Sequence, residues 1–422
     1  MLTRLSLKNW KSYEEATLFI DPLTILIGTN AGGKSNALDA LNFLNRTASG
    51  QSLTSCLAGD GTMEPVRGGL EWATRDKADS FTLGVVVQGD ESTEYEYSLE
   101  AFVKNNRAEV SAEELIRRKY RILKDGSRKE TGQIHLFRTD TATPDEPLLK
   151  ARLYNQSAGT LRQVSRSSSV LSQLAVQSTR QEISDGVLVV GQALRNIFIL
   201  DPIPSHMRYF TPLSETLEPD AGNIAGVIAA LPNDRQKETE ETFTAYLSKL
   251  PERDIRRVYA ERVGKFQSDA MLYCEENWVK DGNSPLVDAR GLSDGTLRFL
   301  AILTALLTRP KKSLLVVEEV DNGLHPSRAF LLIDMLKKIG ADRNIDIIVT
   351  THNPALLDAL GPSAIPFITV AHRDNHTGAS KLTLLENVNN LARVLGHGPL
   401  GTLSSKGIIE RALKGEQLTF GF

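Results

Sequence analysis

Residues 23–44 read Leu23-Thr-Ile-Leu-Ile27-Gly28-Thr-Asn30-Ala-Gly32-Gly33-Lys34-Ser35-Asn36-Ala-Leu38-Asp-Ala-Leu41-Asn-Phe43-Leu44. An apolar run enters a glycine-rich loop, and Leu38, Leu41 and Phe43-Leu44 then recur near helical spacing, which predicts strand, loop and helix in succession. Gly28-x-x-x-x-Gly33-Lys34-Ser35 is the pattern of a phosphate cradle. Its small residues let backbone N–H groups wrap an anion, and the following helix points its positive end at it. Gly28, Asn30, Gly32, Gly33, Lys34, Ser35 and Asn36 are therefore the expected ATP-binding residues. Lys34 is expected to reach the β and γ phosphates and Ser35 to ligate Mg2+.

Toward the C-terminus, a helix expected over 296–307 precedes the buried-type strand Ser313-Leu-Leu-Val-Val317, which runs into Glu318-Glu319. A second helix, over about 327–339, precedes another such strand over 346–349, which runs into Thr350-Thr351-His352. Strands alternating with helices predict a parallel sheet covered on both faces. Carboxylates at a strand's C-terminal end stand at the sheet edge where a phosphate loop also lies. Glu318 is thus expected to hold Mg2+ through water, and Glu319 to orient or deprotonate an attacking water. Alone, two acids after an apolar strand read as a solvated strand end; paired with the loop they read as functional. His352 reads either as a γ-phosphate contact at that edge or as a lone histidine that is structural or merely exposed. Gly291-Leu292-Ser293-Asp294-Gly295-Thr296 opens an apolar helix, where Ser293 is either a plain N-cap or part of a second anion-binding helix start.

Upstream, Leu2 to Leu7 alternate as a strand, and the runs 81–87 and 95–103 bracket Gly89-Asp90 as an antiparallel hairpin. From 111 to 285 the pattern is mixed. It holds the basic run Arg117-Arg118-Lys119-Tyr120-Arg121, a Ser/Gln-rich stretch over 156–184 and a polar helical segment over 234–250, with no sustained heptads. The chain has 422 residues, 41% hydrophobic and 24% charged, enough for more than one core. Its 49 basic and 52 acidic residues leave a formal charge of -3, so no overall field draws it to nucleic acid or an anionic membrane. Cys56 and Cys274 lie far apart, which supports neither a disulfide framework nor a zinc site and suits a reducing, cytoplasmic setting. No signal peptide or membrane-spanning run is expected.

Taken in order, these motifs resemble the ABC-type ATPase head of the RecF, SMC and Rad50 group, most closely the AAA-21 or OLD-like branch. Asn9-Trp10-Lys11-Ser12-Tyr13, the Leu292-Ser293-Asp294-Gly295 signature, Asn322-Gly323-Leu324-His325-Pro326 and, more weakly, Leu217 to Asn223 and Gly398 to Gly401 share in the resemblance. It implies an α/β P-loop NTPase with a parallel-sheet core, an N-terminal antiparallel β portion and a mainly helical insertion lobe. The expected parts are 1–110 and 286–422 for the core and 111–285 for the lobe. Glu319 would be the catalytic base, His352 the switch histidine, and Asp321 to His325 the loop crossing a dimer interface. Ser293 and Gly295 would touch the γ phosphate bound on a second subunit, so a head-to-head homodimer, or a larger even assembly, would sandwich ATP. Glu318 stands where Asp is commoner, and Val320-Asp321 where Pro-Glu is frequent. Gln163 and Gln173 are the candidates for a magnesium-sensing glutamine. About seventy residues follow His352, too few for the TOPRIM nuclease of OLD proteins.

Two functional readings follow from the resemblance. One is a dimeric nucleotide switch controlling a separate effector protein, as in ATPase subunits of anti-phage systems. The other is a DNA-repair ATPase gripping duplex through Arg117 to Arg121, Lys124, Arg128 and Lys129; a solvated hairpin around Asp125-Gly126 accounts for the same charges and is the preferred reading of them. A transporter motor is disfavoured by the long insertion, and a metabolite kinase by the signature and His352.

Overall fold

The computed structural model describes residues 1–76, 78–140, 146, 148–250, 255–278, 285–388 and 391–413. They form two compact units. One comprises Met1–Asp21, Gly28–Ile197 and Thr369–Thr383; the other comprises Pro22–Ile27, Phe198–Ile368 and the chain from Leu384 onward.

In the first unit the strands run in the spatial order Ile368–Arg373, Ser380–Leu384, Tyr13–Phe19, Leu2–Trp10, Ser80–Asp90, Thr93–Lys104, Arg107–Ile122, Arg128–Thr139, Leu148–Leu153, Thr160–Ser165. From Tyr13–Phe19 to Thr160–Ser165 each neighbour pairs antiparallel. Alternation along Leu2–Trp10 buries Leu2, Leu5, Leu7 and Trp10. Trp10, Phe43 and Phe81 meet there with ring centroids 4.7–5.8 Å apart, joining the sheet to the helix Lys34–Ala48. The expected hairpin is present, with Val87 opposite Tyr95 and with Tyr95, Tyr97, Leu99 and Ala101 buried on one face.

The 111–285 segment corrects the expectation of a mainly helical lobe. Its first part is four strands, ending at Ser165, and further strands follow at Ile255–Val263 and Asp269–Glu276 beside the helices Gln181–Arg195, Ile224–Ala230 and Asn233–Leu247. Residues 141–145, 147, 251–254 and 279–284 of this segment lie outside the described residues. Strand character was hidden because the distal halves of Arg107–Ile122 and Arg128–Thr139 are largely solvent-exposed, and such a ribbon leaves no apolar alternation to read.

Glu113 in this unit is fully buried. It accepts hydrogen bonds from the N–H groups of Val170 (2.6 Å) and Leu171 (2.8 Å) and from the Tyr97 hydroxyl (3.0 Å). Burial outweighs these donors and pushes its carboxyl up to about 7 from 4.5. Because the folded value lies above the unfolded one, its contribution to stability is fully present below pH 4.5 and is lost as pH rises through about 7. Glu113→Gln is expected to flatten the pH dependence of unfolding free energy in that window by up to roughly 3 kcal/mol, read from denaturation midpoints at pH 5 and pH 8. An unaltered slope would contradict this.

In the second unit the strands Ile197–Leu200, Leu314–Val317, Asp346–Thr350 and Leu23–Ile27 lie in that order. The last three pair in parallel, with Leu314 opposite Asp346 and Ile347 opposite Leu23. All three are buried along their full length, as strands covered on both faces should be. The helices Asp294–Thr308 and Ala329–Arg343 precede Leu314–Val317 and Asp346–Thr350; the first extends beyond the expected 296–307 at both ends, and the second starts later and ends later than the expected 327–339. A smaller antiparallel sheet groups Thr211–Pro212, Asp269–Glu276 and Ile255–Val263, with Leu286–Asp288 paired to the middle strand.

Candidate functional site

The expected site residues fall into two groups, one in each unit. The first is the loop after Ile27. Gly28 has φ +136°, and a Cβ there would stand 2.1 Å from the Ala371 carbonyl oxygen; at Gly32 the same oxygen would be 2.5 Å away. At Gly33, φ +114°, a Cβ would meet Ser380 Oγ at 2.6 Å and the Tyr13 hydroxyl at 2.8 Å. Glycine is thus imposed at all three positions by backbone shape or close packing. Tyr13 donates to the Gly33 carbonyl (2.9 Å), and burial pushes its phenol well above its ordinary value, keeping the proton in place for that bond. Arg373 Nε donates to the Ala31 carbonyl at the loop tip (2.9 Å).

The loop opens onto the helix Lys34–Ala48, whose start has no side-chain cap and no acidic residue in its first turn. That combination leaves the positive end of a fifteen-residue helix suited to an anion. Lys34 folds back over the loop, its Nζ donating to the carbonyls of Gly28 (2.6 Å) and Thr29 (3.2 Å). Asn36 is turned toward the N-terminal strands: its Nδ2 donates to Ser12 Oγ (2.7 Å) and its carbonyl accepts from Trp10 Nε1 (2.7 Å). Asn30 is exposed on the loop. These features fit a polyphosphate.

The second group stands at the C-terminal ends of the parallel strands in the other unit. Glu318 is half-buried and Glu319 exposed directly after Val317. Glu319 has φ +45°, a left-handed conformation that costs a non-glycine residue about 1 kcal/mol or more. It is held by its N–H donating to Thr350 Oγ1 (2.8 Å) and by Val320 N–H donating to the Thr350 carbonyl (3.1 Å). Asn322 Nδ2 lies 3.5 Å from Glu319 Oε2. His352, exposed, follows Thr350 by two residues, so the acids and the histidine share one edge of adjacent strands.

Ser293 behaves as an N-cap, its Oγ accepting from Thr296 N–H (3.2 Å) and lying 2.8 Å from Thr296 Oγ1. Gly295 sits against the loop after the acidic strand. A Cβ there would stand 2.5 Å from the Gly323 carbonyl and 3.3 Å from Arg328 Nη1. The signature and the 321–325 loop are therefore packed as one piece within this unit. Buried Asp321 carries an Oδ1 with no hydrogen-bond partner among the described residues.

Arg208 is a functional candidate that the sequence concealed. Its Nη1 donates to the carbonyls of Ala289 (3.0 Å), Arg290 (2.9 Å) and Leu292 (2.7 Å), and its Nη2 pairs with Asp294 Oδ1 at 2.5 Å. It clamps the turn leading into the signature helix from 86 residues away, a distance at which no local motif marks it. Arg208→Ala is expected to lower unfolding free energy by about 1–3 kcal/mol, since the carbonyls lose a charged donor; an unchanged urea midpoint would contradict this.

Neither glutamine candidate reaches the loop. Gln173 closes the 165–169 turn, donating to the carbonyls of Ser165 (2.9 Å) and Ser168 (3.0 Å) and accepting from Ser165 N–H (2.9 Å). Gln163 is exposed on the edge strand Thr160–Ser165, at the far end of the strand order from Ile368–Arg373. Two arginines of the basic hairpin are matched by acids on nearby strands. Arg118 pairs with Glu96 (2.9 Å) and Glu130 (3.3 Å), Arg128 pairs with Glu94, and the Arg128 guanidinium lies 4.2 Å from the Tyr120 ring centre.

Residues 208–358 match the family described as "AAA domain, putative AbiEii toxin, Type IV TA system", and residues 1–142 match the AAA ATPase domain. A curated relative, an uncharacterized ABC transporter ATP-binding protein/permease of Saccharomyces cerevisiae, is 33% identical over 104 residues, 24% of this chain; the match spans 8% of that relative's length. Among solved structures, an SMC head bound to the C-winged helix domain of ScpA is 15% identical, with a TM-score of 0.48, covering 90% of this chain and 97% of that one. The SMC head domain from Thermotoga maritima is 16% identical, with a TM-score of 0.39 and coverage of 91% and 98%. An SMC head with an extended coiled coil from Pyrococcus furiosus, bound to the C-terminal domain of ScpA, is 14% identical, with a TM-score of 0.46 and coverage of 94% and 98%. Among the described residues no helix is long and apolar enough to cross a membrane.

Proposed function

We propose that this chain, of which residues 208–358 and 1–142 match AAA-type ATPase domain families, is an ABC/SMC-like ATPase that hydrolyses ATP and uses the nucleotide state to control a separate effector protein. The observation that carries the proposal is the loop from Gly28 to Lys34, in which three imposed glycines lead into an uncapped helix start. Backbone N–H groups there take the phosphates, and Lys34 exchanges the Gly28 and Thr29 carbonyls for phosphate oxygens. Ser35 and Glu318 are the residues that would hold Mg2+, an ion that draws charge from the phosphate oxygens when bound. Glu319 accepts the proton of the attacking water as its oxygen bonds to the γ phosphorus and ADP leaves. His352 contacts the γ phosphate. Ser293 and Gly295 complete the site of a second copy, which makes the working unit a homodimer or a larger even assembly. Residues 1–110 and 286–422 form the ATPase core in this reading, and 111–285 the lobe that meets the effector, in the cytoplasm. A defence role against phage suits such a switch, and the match of residues 208–358 to a family that includes a putative toxin of a type IV toxin–antitoxin system lends it support.

Direct duplex binding, as in DNA repair, is the weaker reading, because two of the arginines that suggest it, Arg118 and Arg128, already pair with Glu94, Glu96 and Glu130. Affinity capture from native cells with and without ATP tests the choice. A protein companion retained in one nucleotide state supports the switch. Salt-sensitive retention of DNA with no protein companion supports the alternative.

A further inference from the structure

Beside the phosphate loop, within the same unit, lies a cavity of about 1040 Å³ whose lining includes Lys11, Ser12, Asn36, Arg67, Trp72 and Arg373. Asn36 and Arg373 already belong to the loop's support, so the cavity adjoins the cradle. Trp72 is 70% exposed in its wall, whereas Trp10 beneath is fully buried. An exposed tryptophan standing singly is ordinary surface, but this one is built into place. One side of it rests on Gly68, φ +79°, where a Cβ would stand 2.8 Å from Trp72 Cβ and 3.3 Å from Cγ. The segment that carries it is tied to residues 9–12 at several points. Lys11 N–H donates to the Ala73 carbonyl (3.0 Å), Arg75 N–H to the Asn9 carbonyl (3.0 Å), Lys11 Nζ to the Arg67 carbonyl (2.7 Å) and Arg75 Nη1 to the Ser12 carbonyl (3.1 Å). Ser12 in turn receives Asn36. A segment tied to the same residues that support the phosphate helix holds its indole in place for a planar aromatic group.

We propose that Trp72 is the stacking platform for the base of the bound nucleotide, with the cavity taking the nucleoside and the loop its phosphates. This rests on the phosphate-loop reading above. Stacking needs only a π face, so the platform sets affinity for nucleotides over bare polyphosphate.

The experiment uses the full chain carrying Trp278→Phe, so that ligand-dependent emission reports on Trp72 above the buried Trp10. The probes are ATP and inorganic tripolyphosphate, each with Mg2+. ATP is expected to quench the emission and tripolyphosphate to leave it unchanged. Trp72→Ala should weaken ATP binding, followed by calorimetry, roughly 5- to 100-fold while leaving tripolyphosphate affinity as it was, and Trp72→Phe should restore most of the loss. ATP affinity within twofold of the parent in Trp72→Ala would overturn the platform while leaving the phosphate loop standing. Failure of both probes to bind, or binding of both undiminished by Lys34→Ala, would overturn the platform and the phosphate-loop reading together.

Discussion

Lys34→Ala abolishes measurable ATP binding: affinity is expected to fall at least about a hundredfold, with thermal stability in the absence of nucleotide little changed. The size follows from what is removed. The ammonium is the one side-chain cation that the loop itself supplies to the phosphates, and charge-assisted bonds to phosphate oxygens are about twice as strong as neutral ones. Loss of two such bonds at about 1.5–3 kcal/mol each exceeds the 2.7 kcal/mol that a hundredfold change requires. Stability should hold because Lys34 is only half-buried and its bonds to the Gly28 and Thr29 carbonyls lie at the loop surface. Calorimetry with ATP checks the first part, and thermal denaturation without ligand checks the second. Retained affinity would move the phosphate site elsewhere.

Glu319→Gln separates binding from turnover. The amide keeps the carboxylate's shape but cannot take a proton, so phosphate release is expected to fall about 10²–10⁴-fold while ATP affinity stays within a few-fold. The strained backbone at this position should persist, because Thr350 Oγ1 and the Thr350 carbonyl hold the main chain whatever the side chain. With hydrolysis blocked, an ATP-dependent rise in solution mass is expected from the proposed sandwich. A variant that turns over normally would remove Glu319 from the chemistry.

Much of the layout of the proposed site is legible in the sequence because it follows from local chain geometry. A strand followed by a glycine loop and a helix, or by acids at a sheet edge, is written in consecutive residues. The phosphate loop, Leu314–Val317 with Glu318-Glu319, and Asp346–Thr350 with His352 could accordingly be read directly. What escaped depends on contacts distant in sequence. Arg208 reaches Asp294 across 86 residues, and Trp72 gains meaning only from a cavity assembled by residues from Lys11 to Arg373. Gly295 illustrates a third case. Its signature motif was visible, but that it is glycine because the Gly323 carbonyl lies in the way could be learned only from packing. The strands from Arg107 to Ser165 escape the sequence reading where the distal halves of Arg107–Ile122 and Arg128–Thr139 lie exposed, because such a ribbon carries no periodic apolar code.

Rapid quench of the purified chain with radiolabelled ATP and Mg2+, counting both bound nucleotide and released phosphate per chain, bears most immediately on the proposed chemistry. Wild-type protein should bind ATP and release phosphate, Glu319→Gln should bind without release, and Lys34→Ala should do neither. Phosphate released equally by all three, or no ATP bound by the wild type, would contradict assignment of this loop and this glutamate to ATP hydrolysis.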